Sequence, residues 1–396
     1  MKKLSFVIAM ALLTSISSWA ESVYIDDILY SLSFTTCNLM NGTKKSGDVV
    51  IPEKVTYNGK EYVVEGIWDE AFRDNVKITS FTVQGNSLTT IGEYAFSKCT
   101  SLKKVNLPQS VRRIEKRAFE QCGLESFDMP PITYLEEGLL YYCTDLKSVT
   151  LSPTIKTLPA NTVYGCHSLT QLIIPEGIEA LATSSINYCN SLTTVQFPNT
   201  LTTIGDNVMY NCFALEHINL PSSLRTIGEN FMRENYLKSL IIPEGLTTLG
   251  AYSFSENKAM ESLSLPNSLR NIGTGAFYRF NVLKMLYVNA DTRLSSWSYM
   301  FSGADIFTIQ LYVPAHLINS YKEEDNNFWY RFRHMYAIVP CDVNGDEICD
   351  ISDVNTCIDM VIGKGAHAYD YSADVNHDTI IDISDINAIT NKLLGK

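Results

Sequence analysis

The segment from Leu201 to Ser223, LTTIGDNVMYNCFALEHINLPSS, recurs with variation along most of the chain. Written as L-x-x-[VIL]-x-[LIFM]-P-x-x-[LIV]-x-x-[IL]-G-x-x-[AV]-[FM]-x-x-C, the pattern returns roughly every 23 residues. A unit that short cannot bury its own apolar residues, so successive units must stack and bury them against one another. The chain is therefore read first as a solenoid.

Ten or eleven coils fit between about Gly66 and Leu311. In each, the run before the proline, such as Leu102, Val105 and Leu107, predicts a short strand with apolar residues inward. Stacked coils then build a long parallel sheet. Prolines at 108, 130, 153, 175, 198, 221, 243 and 266 end the strands, because proline has no N–H for the ladder. A glycine column follows at Gly92, Gly205, Gly228, Gly250 and Gly273, with Pro159 in the same place. Proline holds φ near about −65°, so this column cannot demand positive φ and is read as the entry to a short helical turn. Ala95-Phe96, Ala118-Phe119 and Ala276-Phe277 then send an aromatic ring into the core. The Leu/Asn/Cys spacing is that of leucine-rich repeats. The expected fold is a leucine-rich-repeat solenoid of stacked parallel β-strands with short helical turns.

Six of the ten cysteines (Cys99, Cys122, Cys143, Cys166, Cys189, Cys212) occupy one column, with Asn75 before them and Asn235 and Asn257 after. Thiol alternating with amide predicts a buried ladder beside backbone groups. A metal site or redox relay would need convergent histidines or a CxxC pair, and the sequence has neither.

The composition, 45% hydrophobic and 19% charged, is that of a folded protein. A net charge of −12 speaks against a nucleic-acid partner. Lys2 and Lys3, an apolar run from Leu4 to Leu13 and Ser18-Trp19-Ala20 compose a signal peptide over residues 1–20. That run is too short to span a bilayer, and no later stretch reads as a transmembrane segment. The mature chain is expected to be secreted, with the medium or the cell surface as its address. Residues 21–65, with strands around an Asn58-Gly59 turn, read as an N-terminal cap on the repeats of 66–311. Residues 312–339 read as a C-terminal cap of one amphipathic helix and a strand, packed by Phe328, Trp329, Tyr330 and Phe332.

Coils such as SLRTIGENFM and SLRNIGTGAF, with GDVVIPEKVTYNGKEY before them and LYVPAHLINSYKEED after, resemble the BspA-like leucine-rich-repeat family over roughly residues 45–339. The resemblance implies an exported bacterial surface protein that binds host or neighbouring-cell proteins. Two stripes are candidates for such contact. Strand positions Lys104, Asn106, Ser126, Asp128, Ser148, Thr150, Thr194, Gln196, His217, Asn219, Ser262 and Ser264 should face the open side of the sheet as a polar, nearly uncharged row. Tyr141, Tyr142, Tyr164, Tyr188 and Tyr210 form the other, as an interaction surface or as half-buried rings packed between coils, the packing being favoured.

Residues 340–396 differ in kind: from Cys341 onward there are eleven acidic residues against three lysines. DVNGDEICDISD from Asp342 and DVNHDTIIDISD from Asp374 align without a gap, with 12 identities over 24 positions. Each places oxygen side chains at positions 1, 3, 5, 9 and 12 of a twelve-residue loop, with a backbone carbonyl at 7, the ligand spacing of an EF-hand calcium site. The ligands would be Asp342, Asn344, Asp346, Ile348, Asp350 and Asp353, then Asp374, Asn376, Asp378, Ile380, Asp382 and Asp385, for two calcium ions. Val354, Ile358 and Val361, then Ile386, Ile389 and Leu393, give each loop a trailing helix, hence a small all-α duplicated calcium-loop-helix domain. Loop and single helix, duplicated, with Asp at position 12, look like a type I dockerin; position 6, commonly glycine, is Glu347 and Thr379 here. The resemblance implies calcium-dependent attachment to a cohesin module of a scaffold protein, a cellulosome-like setting of polysaccharide degradation. Ile351-Ser352 and Ile383-Ser384, at the helix starts, are the expected partner contacts.

No H-E-x-x-H, G-x-S-x-G or phosphate-cradling loop is present, and no carboxylate pair faces across a cleft, so an enzyme is not expected. The leading expectation is a secreted, non-catalytic binding protein with a repeat recognition surface and a calcium-dependent dockerin. A cell-surface adhesin is the alternative, and a polysaccharide-active enzyme ranks below both.

Overall fold

On most coils one apolar run becomes a short strand, and these strands pair in parallel in four separate groups along the solenoid, the run at His217–Asn219 forming no strand. The computed structural model describes residues 21–290, 299–323, 328–338, 349, 351–361, 375 and 381–394. The signal peptide expected over 1–20 lies outside them. Gly47–Ile51, Ile78–Val83 and Lys104–Asn106 pair in sequence. Ser239–Ile241, Ser262–Leu265, Met285–Val288, Gln310–Pro314 and His334–Ile338 do so at the far end. Strands beyond both ends of the 66–311 span take part, and the fold is a parallel β-solenoid of about 13 turns.

Among the described residues nine coils also carry a second strand of two residues at the [IL]-G position of the pattern. Thr90–Ile91, Arg113–Ile114 and Tyr134–Leu135 pair in parallel, as do the six from Thr157–Leu158 to Asn271–Ile272. The expected N-terminal turn is present: Asn58 and Gly59 both take positive φ, 50° and 74°, between antiparallel Lys54–Tyr57 and Lys60–Ile67.

The third side of the coil departs from expectation. Among the described residues no coil between Gly66 and Leu311 contains a helix. Instead, residues four apart are left-handed in each turn, such as Tyr94 and Lys98 (φ 53° and 61°) and Arg117 and Gln121 (49° and 53°). That alternation aims every second N–H along the solenoid axis. Tyr94, Phe96 and Lys98 donate to the Lys116, Ala118 and Glu120 carbonyls of the next coil at 2.9, 2.7 and 2.7 Å. Ala95, Ser97 and Cys99 donate back to Gly92, Tyr94 and Phe96 within their own turn at 3.3, 3.0 and 3.1 Å. A helix would keep all six bonds to itself; here the coils share them.

The glycine column indeed avoids positive φ. Its reason is proximity: a Cβ built on Gly273 would collide with Ala251 N, and one on Gly250 with the carbonyl carbon of Gly228. Inside, Phe72, Phe96 and Phe119 stack with centroids 5.0 Å apart at each step. At the C-terminal end, Trp329 and Phe332 are buried against Tyr321 and Phe328, as expected of a cap, whereas Tyr330 is exposed. The expected amphipathic helix is only Ile318–Lys322, preceded by a 3-10 turn, Ala315–Leu317.

Candidate recognition surfaces and calcium loops

The cysteine column is structural. Each thiol is buried and donates to the carbonyl of the core residue one coil earlier, from Cys99 to Phe72 at 3.1 Å through Cys143 to Phe119 at 3.1 Å to Cys212 to Ile186 at 3.4 Å. Asn235 and Asn257 make the same bond through Nδ2, to Met209 and Met232, both at 2.9 Å. Thiol and amide alternate because either donor meets the same carbonyl. None of the six cysteines is in a disulfide. Burial pushes the Cys143 and Cys212 thiols up to about 12, so they are not nucleophiles at neutral pH.

The strand stripe is exposed over its N-terminal and middle coils. Lys104, Asn106, Ser126, Asp128, Ser148, Thr150, Thr194, Gln196, His217 and Asn219 all face solvent. Ser262 and Ser264 do not. Both are buried, and Ser264 Oγ accepts from Asn289 Nδ2 at 3.0 Å. Beyond them the same strand position holds Tyr287, Tyr312 and Tyr336, stacked at 4.7 and 5.3 Å.

The structure brings the five flank tyrosines together. Tyr141 stacks on Tyr164 at 4.9 Å, Tyr164 meets Tyr188 at 5.4 Å, and Tyr188 meets Tyr210 edge-on at 5.8 Å. All five rings are half-buried, as the packing reading expects. Gly165, with φ +72°, leaves room for the Tyr142 ring that any side chain there would strike. Burial raises the phenols of Tyr141, Tyr164 and Tyr210, and for Tyr210 a hydrogen bond to Glu234 Oε1 at 3.1 Å adds to it. One column further on lie Phe213 and Tyr236, 41% and 45% exposed with rings 6.4 Å apart. Reading the residue after each cysteine or asparagine of the ladder would have found them.

In the tail, Ile351–Val361 and Ile383–Leu393 are helices of 11 residues each. Val354, Cys357 and Ile389 form a small core with Ile358 and Ile386 against it, while Val361 and Leu393 are exposed. Of the twelve expected calcium ligands, Asp353, Asp382 and Asp385 are described. Asp342, Asn344, Asp346, Ile348, Asp350, Asp374, Asn376, Asp378 and Ile380 lie outside the described residues. Among the described residues no three His, Cys, Asp or Glu converge as a metal site. Asp353 and Asp385, position 12 of each loop, are both fully buried. Asp385 Oδ2 accepts from the Asp382 N–H at 2.9 Å while Asp382 Oδ1 accepts from the Ser384 N–H at 2.6 Å, a capping box that fixes the helix start. The Ser384 bond holds the Asp382 carboxyl below the usual range. Ile351 and Ile383 are 67% and 68% exposed, Ser384 is exposed and Ser352 half-buried. Cys349 is disulfide-bonded, which the sequence reading did not foresee.

Two columns of parallel strands joined by hydrogen-bonded turns define a leucine-rich-repeat solenoid, and among the described residues no helix is long and apolar enough to cross a membrane. The chain belongs to the BspA-type leucine-rich-repeat family, whose repeat-region profile matches residues 65–193 and 180–307. That family's proteins are generally non-catalytic binding proteins, and no enzyme family is indicated. Among solved structures, a leucine-rich repeat protein from Bacteroides ovatus is similar at 23% identity and TM-score 0.50, over 74% of this chain and 78% of that one. A leucine-rich cell surface protein from Faecalibacterium prausnitzii is similar at 19% identity and TM-score 0.51, over 85% of this chain and 97% of that one. These two likenesses concern the fold alone. No curated protein matches the chain.

Proposed function

We propose that the mature protein is a secreted, non-catalytic binding protein. Its coils recognise a partner, and its tail, a type I dockerin ordered by two calcium ions, docks on a cohesin module of a scaffold protein in a polysaccharide-degrading assembly. The docking half rests on one observation: Ile351 and Ile383 open two equally long helices and stand 67% and 68% exposed, each two residues before a fully buried aspartate. Apolar side chains held out at equivalent points, with Ser352 and Ser384 beside them, supply a matched pair of anchors.

The two loops would hold the ions through the twelve ligands named above. Carboxylate, amide and carbonyl oxygens suit Ca²⁺, whose charge would offset the four aspartates of each loop. Asp353 and Asp385 fit that assignment by position, as buried carboxylates at residue 12 of each loop, Asp385 also accepting from the Asp382 N–H. The chain's own part is to seat these two aspartates and to cap the second helix through Asp382.

The experiment is capture of a cohesin panel by the immobilised full-length mature chain, with calcium and with EGTA. Capture in calcium that is lost in EGTA, and lost again in an Ile351→Asp, Ile383→Asp double variant, supports docking. Capture that survives chelation ends it. The adhesin reading draws on the flank, where Phe213 and Tyr236 extend the tyrosine row as exposed rings. Cell binding indifferent to EGTA but lost on combining Tyr164→Ser, Tyr188→Ser and Tyr210→Ser would favour it.

A further inference from the structure

We propose that the notch between strands Ser148–Thr150 and Gln171–Ile173, on the open face of the coils, binds one or two neutral sugar rings of an oligosaccharide. This names a ligand class for the coil half of the proposed function and rests on that half alone.

The notch lies at one of two places where the coil-to-coil ladder is interrupted among the described residues, the other being between Thr193 and Glu216. The N–H groups of Lys103, Glu125 and Lys147 donate to Thr79, Lys103 and Glu125 one coil earlier at 2.9, 3.3 and 2.9 Å, and Thr193 donates to Thr170 at 2.9 Å. Among the described residues the corresponding bond from Thr170 to Lys147 is not made, and strand 148–150 pairs only with 126–128 while strand 171–173 pairs only with 194–196. The parted strands leave a cavity of about 370 Å³, inside the usual small-ligand range of roughly 300–1,000 Å³. Val149 in its floor is half-buried, whereas its counterparts Phe127 and Leu172 are buried.

The lining is that of a sugar site. Ser148, Thr170 and Gln171 bring hydroxyl and amide groups that both donate and accept, and Thr150, whose Oγ1 donates to Asp128 Oδ1 at 2.7 Å, brings an acceptor. Ile173, 58% exposed and an apolar exception in a polar stripe, offers a wall for the C–H face of a ring. The one charge at the rim, Lys147, is paired with Glu125 at 2.9 Å. With that cation engaged, a neutral ring is favoured over a uronic acid. An open notch with few donors sets weak affinity, on the order of millimolar.

The test is titration of the full-length mature protein, in calcium, with cellotetraose, xylotetraose, mannotetraose and trigalacturonic acid, read by saturation-transfer NMR and calorimetry. At least one neutral tetrasaccharide should bind, and Ile173→Asp and Gln171→Ala should each weaken it about tenfold. A Thr194→Ala, Gln196→Ala variant, altered on the next coil's exposed strand positions, should bind as the native protein does. The proposal is overturned if no neutral sugar binds, if trigalacturonic acid binds better, or if Gln171→Ala binds normally. Should Ile173→Asp melt early, Gln171→Ala alone decides. Cohesin capture, measured on the same preparations, should be unchanged by all these variants, so failure of the notch leaves the docking reading standing.

Discussion

The coils and the tail are both made by repetition, and they meet the cost of ordering a short unit by different means. A coil has neighbours on both sides: they take its alternate N–H groups, its ladder thiol or amide, and the faces of its phenyl ring. Stability then grows with the number of coils. The tail has two copies only, a core of three buried side chains with a few half-buried ones against it, and two carboxylates sunk out of water. A unit that small ordinarily needs a metal or a disulfide. Repetition supplies a core when units can stack in series, and a pair of units needs something added.

The largest effect that would break this contrast is chelation. On the calcium-loop proposal EGTA should loosen the tail, which keeps only its small core and the Cys349 disulfide, so amide exchange at 351–361 and 383–393 rises while the coils stay protected. Tail amides that remain protected in EGTA would place the tail on the same footing as the coils. Next, Phe96→Ala, at the centre of a stack, should cost about 3–5 kcal/mol by denaturant melting and leave amide protection in the tail untouched. Gly273→Ala should cost about 1–3 kcal/mol, since the new Cβ has to push the preceding coil away; a neutral result would mean that coil spacing is soft.

The smallest effects belong to the thiol ladder. Cys166→Asn should stay within about 1 kcal/mol of the native protein, whereas Cys166→Ala, which drops the donor, should lose about 1–2 kcal/mol. Folded Cys143 and Cys212 titrate near 12 against an ordinary 9.0. The folded value is the higher one, so their contribution is whole below pH 9 and drains away as pH climbs towards 12. Thermal melts from about pH 8 to about pH 11 should show a downward slope that a Cys143→Asn, Cys212→Asn variant flattens; an unchanged slope would assign it elsewhere.

The repeat period, the strand prolines, the Asn58-Gly59 turn and the cysteine–asparagine column were legible because each reports a local requirement that one residue type meets. The turns were not. Tyr94, Lys98, Arg117 and Gln121 carry no signal for a left-handed backbone, which costs an ordinary residue on the order of 1 kcal/mol. Bonds to the next coil hold them there, and a single repeat read alone does not contain that partner. Ser262 and Ser264 look like Ser126 and Ser148 in sequence yet are buried, since burial at that strand position depends on what lies beside each coil. Phe213 and Tyr236 escaped notice because their column holds small or polar residues on the five coils before them, from Thr100 to Asn190.

The bonds that run from coil to coil have a mechanical consequence. They lie along the solenoid axis, so a pull between the two ends loads them lengthwise, and a coil yields only when its turn bonds and such strand pairings as it has rupture together. Length should therefore be paid out in discrete steps, each releasing roughly 23 residues, or about 75 Å of extended chain. A protein tethered at one end and gripped at the other would lengthen stepwise under flow before letting go.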